Sequence, residues 1–146
     1  DDIRKYMQLT KDGKLYDYLI TNWSIEVDRN KFKKLFFKHI FYCKIKSNYR
    51  YEYSLKFKDE FPNVFDLVIK LKEGSYNNLA IQLQKSEANI IIHRIGVQLM
   101  DLGIFFLTVH DSIICRKSDA VKVVEIFTKE FKRIKLNPTL NIKDLS

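Results

Sequence analysis

The spacing of apolar residues along the chain sets out a mostly helical protein with one short β element. Asp12-Gly13 marks a turn, and a short helical segment follows over Lys14 to Thr21. Asp28 is placed to cap a long helix running to about Lys46, with Phe32, Leu35, Phe36, His39, Ile40 and Cys43 on one face at helical spacing. Asn48 to Lys58 alternates tyrosine with polar residues, a period of two that predicts an extended segment or ordered loop. Phe61-Pro62-Asn63 breaks the chain and opens a helix through about Lys72, which Glu73-Gly74 ends.

Tyr76 to Met100 reads as one long helix, about 40 Å at 1.5 Å per residue, with Ala88, Ile91, Ile92, Ile95 and Leu99 as its buried stripe. Gly103 then releases the chain into the apolar run Ile104 to Val109. The dipeptide His110-Asp111 separates that run from Ile113, Ile114 and Cys115, which together spell a hairpin. Ser118-Asp119 is placed to cap a final helix carrying Val121, Val124, Ile126, Phe127 and Phe131, and Thr139 to Ile142 reads as a third strand. The expected class is α+β, mainly helical with a small antiparallel sheet. One domain over 1–146 is expected, with a fingers-like region about 13–74 and a palm-like region about 75–146.

Composition narrows the function. Four glycines cannot supply a dinucleotide fingerprint or a phosphate-cradling loop, and the apolar runs fall far short of the roughly 20 residues a membrane span needs. Two cysteines, Cys43 and Cys115, form neither a disulfide framework nor a zinc motif, so a reducing, cytoplasmic setting is expected. The chain opens at Asp1 without Met and without a signal-like segment, as an excised piece of a longer protein would.

Charge is local. Of the 26 Lys and Arg, ten fall between Arg29 and Lys58 against the single acid Glu52, so this window carries +9 in a chain whose net charge is +8. Nine of the aromatic residues lie there too. Cations interleaved with π faces suit a polyanion with stackable bases, although lysines on a solvated helix face are the plain alternative.

Three constellations can carry chemistry. Asp111, at the apex of an otherwise apolar hairpin, is a rigid outward carboxylate of the kind a hard divalent cation takes, and equally an ordinary turn former. Arg29, Lys33, Phe37 and Phe41 recur every four residues over about 18 Å, two cations then two aromatics, the order of phosphates, sugar and base in a nucleoside triphosphate. Gln84 stands one turn before Ala88 on an apolar stripe, where an amide needs a partner.

In chain order these segments resemble the C-terminal half of the polymerase domain of family A DNA polymerases and of the related single-subunit phage RNA polymerases. Arg29, Lys33, Phe37 and Phe41-Tyr42 resemble motif B, Arg-x3-Lys-x3-Phe-x3-Tyr-Gly, with Phe and Tyr here in place of its last two residues. Leu83-Gln84 with Glu87-Ala88-Asn89-Ile90-Ile91 is similar to the family's helix whose Gln meets the primer-template duplex. Thr108 to Ser112 resembles motif C, and Leu136 to Ile142 looks like the closing strand of the palm.

The resemblance implies that Asp111 ligates catalytic magnesium in a two-metal site and that His110 supports the primer end or the metal. Arg29 and Lys33 would grip the triphosphate, Phe37 and Phe41 would lie near its sugar and base, and Gln84, Lys34 and Lys38 would contact nucleic acid. Implied partners are a DNA or RNA template-primer, a nucleoside triphosphate and the N-terminal remainder of a phage or mobile-element polymerase, since motif A and its aspartate are not evident in the 28 residues before Arg29. The competing expectations are a catalytically inactive nucleic-acid-binding domain on the palm scaffold, and a basic interaction domain with no nucleic-acid partner.

Overall fold

The computed structural model describes every residue except His110, Asn137, Thr139, Leu145 and Ser146. The fold is α+β, 67% helical with one two-stranded antiparallel sheet among the described residues. The chain forms two compact units, residues 1–82 and 83–146.

The first unit holds α1 (Asp2–Lys11), α2 (Leu15–Asn22), α3 (Arg29–Phe36), a π-helical turn (Phe37–Phe41), α4 (Ile45–Asn48), α5 (Glu52–Glu60), α6 (Pro62–Leu71) and the start of α7 (Asn78–Ala88). Its core is built on Phe32, Phe36, Phe57, Phe61 and Phe65, all fully buried. Phe36 meets Phe57 edge to face with centroids 5.4 Å apart, the arrangement that opposes the negative face of one ring to the positive edge of the next, while Phe32 on Phe36 and Phe57 on Phe61 pack tilted.

Two helix starts show how local and distant chemistry share the capping. The Asp28 carboxylate accepts from the backbone N–H groups of Asn30 and Lys31, as its sequence position predicts. Pro62 at the first position of α6 fixes φ and brings no local side-chain cap. The cap comes instead from α1: Asp2 accepts from the backbone N–H groups of Asn63 and Val64 and from the Asn63 side-chain amide. That side-chain bond, with the backbone donors beside it, holds the Asp2 carboxyl below its ordinary range. Glu60 fastens the same unit. Its carboxylate accepts from Lys5 and Tyr18 at 2.5 Å and from Asn22 at 2.7 Å, joining α1, α2 and α5.

Two expectations fail here. The helix from Asp28 stops at the π turn after Phe41 instead of running to Lys46. Asn48 to Lys58, expected as extended chain or loop, contains α5. The period of two in Tyr49, Tyr51 and Tyr53 competes with a period near four in Tyr53, Phe57 and Phe61, and burial of Phe57 and Phe61 in the phenylalanine core decides for the helix.

Lys72 closes the unit from within. It is 1% exposed, and its ammonium donates to the Ile40 carbonyl, to the Cys43 carbonyl at 3.2 Å and to Asn48 Oδ1 at 2.8 Å. Asn48 Nδ2 in turn donates to the Ile40 carbonyl at 2.9 Å and to Ser54 Oγ at 3.0 Å. Burial pulls the Lys72 pKa below its usual value.

In the second unit the helical stretch continues through the end of α7, a π-helical segment (Asn89–Gly96) and α8 (Val97–Asp101). Ile91, Ile95 and Leu99 are buried as predicted, whereas Ile92 is exposed. Gly96 gives the hairpin room: a Cβ there would sit 3.2 Å from Phe106 Cζ. Gly103, at φ +67°, ends α8 in the left-handed conformation glycine adopts without strain. Strands β1 (Phe106–Val109) and β2 (Ser112–Cys115) pair as the predicted hairpin, with Val109 opposite Ser112.

The last helix, α9 (Ala120–Arg133), is entered through a 3-10 turn, Lys117–Asp119, with no side-chain cap from Ser118 or Asp119. Val123, Ile126 and Phe127 form the buried face, and Val121, expected inside, falls about 120° or more from each of them along the helix and is 72% exposed. Leu140 packs on the core, but residues 140–144 form no strand; Thr139 of the expected third strand lies outside the described residues.

Removing the Lys72 amine while keeping its stem tests the closing network. Lys72→Met should cost about 3 kcal/mol, because the Cys43 carbonyl and Asn48 Oδ1 lose the Lys72 donor at about 1–3 kcal/mol each, while the Ile40 carbonyl keeps Asn48. Urea unfolding of the two proteins side by side measures it.

Candidate nucleic-acid interface

Helix α3 presents two different faces to solvent. Phe32 and Phe36 point inward, and the wide turn carries Ile40 in after them. On one flank lie the residues that resemble motif B. Arg29 Nε pairs with Asp17 at 3.1 Å, its guanidinium donates to the Gly13 carbonyl at 3.3 Å, and it lies over the Tyr16 ring, as Lys33 does at 5.9 Å. Phe37 and Phe41 are half-buried and in contact, centroids 5.4 Å apart, and both meet Phe36 edge-on. The four residues keep one side of the helix, but Arg29 already has a carboxylate partner and the phenylalanines extend the aromatic core.

The side facing away from the core is different. Lys31, Lys34 and Lys38, at i, i+3 and i+7, are exposed on the flank away from Phe32 and Phe36. Within the basic window Arg29 and Lys56 have carboxylates within ion-pair distance. Among the described residues the other eight cations, Lys31, Lys33, Lys34, Lys38, Lys44, Lys46, Arg50 and Lys58, are exposed and have none. Two tyrosines stand among them, Tyr42 and Tyr49, each 48% exposed. The Tyr49 ring carries the Lys58 ammonium at 5.5 Å from its centroid.

The π turn determines where Tyr42 points. Its N–H donates to the Phe37 carbonyl five residues back at 2.9 Å, and the Tyr42 ring stacks on Phe37 with centroids 5.4 Å apart and planes 26° from parallel. In an α-helix residues five apart diverge by about 140°, so the wider turn is what aligns them. On the inner side of the same turn His39 stacks on Tyr51 at 4.3 Å, with its Nδ1 buried and without a hydrogen-bond partner. Burial, and secondarily the adjacent Lys38, pulls the His39 pKa below the ordinary imidazole value.

In the second unit Asp111 occupies the two-residue connection between β1 and β2 and is exposed. Its neighbour Ser112 closes the turn by donating from Oγ to the Val109 carbonyl at 2.7 Å. His110 lies outside the described residues. No group of three His, Cys, Asp or Glu side chains able to hold a metal converges among the described residues. Gln84 is exposed on α7, so its amide reaches solvent and does not lie on a buried stripe where it would need a protein partner. The half-buried amide of Gln98 donates to the buried Glu130 at 2.9 Å.

Lys34 and Lys38 were expected from the sequence, whereas Tyr42, four residues beyond Lys38, was not. No family model, curated protein or solved structure matches this chain. Among the described residues no helix is long and apolar enough to cross a membrane.

His39 predicts an acid-sensitive first unit. Its folded pKa lies below the unfolded value of 6.5, so the unfolded chain takes up the proton first as pH falls. Stability is therefore full above pH 6.5 and declines as pH drops through that value towards the folded pKa. His39→Gln should flatten this part of the profile, measured as urea midpoints between about pH 7.5 and 5.

Proposed function

We propose that this chain is the nucleic-acid-binding palm and fingers portion of a polymerase-like protein, and that it holds the sugar-phosphate backbone through the segment Arg29 to Lys58. The observation that carries this reading is the set of eight exposed cations without carboxylate partners, with two exposed tyrosines among them. A surface of lysines that merely solvates a helix is usually interleaved with acids at i, i+4; here Glu52 alone intervenes, and it is spent on Lys56. Phosphates release counterions when they meet such a surface, which makes the attraction strong at low salt. A cytoplasmic setting accords with this reading.

Membership of a template-directed nucleotidyltransferase is the finer reading. It is supported by the order of the three motif-like segments and by one further observation, Asp111 at the apex of an observed hairpin. The other metal ligands would have to come from the N-terminal remainder, as the resemblance implies for the motif A aspartate. Nucleoside triphosphate and template-primer are the partners this reading requires.

Binding of a fluorescein-labelled oligonucleotide, followed by anisotropy across a salt series, tests the first reading. Affinity should fall steeply with salt, and Lys34→Glu with Lys38→Glu should weaken it on the order of tenfold or more. Salt-insensitive or absent binding would end the nucleic-acid reading. For the finer one, a longer chain that includes the upstream segment should extend a primer with magnesium, and Asp111→Ala should abolish extension while leaving binding unchanged. Extension by the Asp111→Ala protein would remove Asp111 from the metal site.

A further inference from the structure

We infer that the outer flank of α3 and its π turn forms a track for one single strand of nucleic acid, with Lys31, Lys34 and Lys38 on the phosphates and Tyr42 as a stacking platform for an unpaired base. This rests on the nucleic-acid reading above and narrows its partner.

Three observations lead to it. The lysines form one row, stepping three and then four residues, about 4.5 and 6 Å along the helix axis. A single row follows one backbone. Tyr42 continues the row four residues beyond Lys38, and the π turn backs its inner face with Phe37 while 48% of the residue stays exposed. A ring already stacked on one side loses little freedom when a base covers the other, and that is the cost that most weakens stacking on a mobile side chain. Finally, the π turn is held at its end by Lys72 and Asn48 on the Ile40 carbonyl, so the platform is fixed to the core of the unit.

Duplex offers this arrangement less. Its base faces are occupied within the stack, so Tyr42 could reach only a terminal pair, and the lysine row would meet one of its two backbones. An acidic peptide would satisfy the lysines and leave the ring unused.

The deciding experiment compares, on the full chain, three labelled ligands of equal charge: oligothymidylate of about twelve nucleotides, an abasic oligomer of the same length, and polyglutamate. Oligothymidylate should bind roughly five- to one-hundred-fold more tightly than the abasic strand, the range for one stacked base. Tyr42→Leu, which keeps an apolar contact with Phe37, should reduce oligothymidylate to the abasic level without changing abasic binding, and Tyr42→Phe should retain the preference. Replacing Lys34 by Gln should lower the salt slope by roughly 0.7 for both strands.

Equal binding of oligothymidylate and abasic strand by the unaltered protein overturns the track and leaves charge-driven binding standing, whatever the variants do. Tyr42→Leu weakening both strands equally, or polyglutamate binding as tightly as oligothymidylate, overturns it too. No salt-dependent binding of any strand overturns both this inference and the reading beneath it.

Discussion

The buried ammonium of Lys72 and the ring of oxygens around it are what the rest of the first unit depends on. A helix that stops inside a protein leaves carbonyls without donors, and a π turn leaves them pointing in unusual directions. Lys72 and the Asn48 amide supply the Ile40 carbonyl, and Lys72 also supplies that of Cys43. A cation suits this place because the last carbonyls of a helix concentrate its negative dipole end. With that end secured, the wide turn persists, and with it the five-residue step that lays Tyr42 on Phe37. The exposed platform is thus a consequence of a buried polar bond.

Charge and packing are divided cleanly across α3. The inward side is phenylalanine, the outward side lysine, and the motif-like flank runs between them. Lysine heads opposite a fully buried aromatic face cost nothing in desolvation, since they remain in water, but their mutual repulsion goes unrelieved by acids. Such a surface is stabilised by whatever brings negative charge to it. A polyanion therefore gains twice, from direct pairing and from removal of repulsion among neighbours within a Debye length of about 8–10 Å.

Much of this was legible from residue order, and what was not has physical causes. The Asp28 cap, the start at Pro62 and the hairpin around His110-Asp111 follow from local chemistry that tertiary structure had no reason to overrule. The π turn was invisible because a tertiary partner 29 residues beyond Cys43 stabilises it. Asp2 as the cap of α6 is likewise a contact across 61 residues. The Tyr49 to Tyr53 alternation misled because a period of two was counted where a buried phenylalanine pair one turn further on carried more free energy. Val121 was expected inward although, at 100° per residue, it stands about 120° or more from Val123, Ile126 and Phe127, so its exposure was legible in the spacing of α9 itself. For the candidate site, the basic window and its lysines were readable; the division into an engaged flank and a free flank was not, since it turns on Asp17, Gly13 and Tyr16 from a different helix and turn.

That division bears on the polymerase-like reading itself. Arg29 pairs with Asp17, but both side chains are about half exposed, 49% and 61%. Exposed pairs of this kind are worth about 0–1 kcal/mol, because water screens the attraction and both side chains lose freedom in making it. A polyphosphate offers Arg29 several charge-assisted bonds in a fork geometry that one monodentate contact with Asp17 does not match. Exchange of Asp17 for phosphate is therefore inexpensive, whereas Phe37 and Phe41 could reach a sugar or base only by leaving contacts with Phe36 and with each other. The cationic half of the motif-like row is thus available to a triphosphate at little cost, while its aromatic half is committed to the core, and Tyr42 is the ring on this turn that meets solvent.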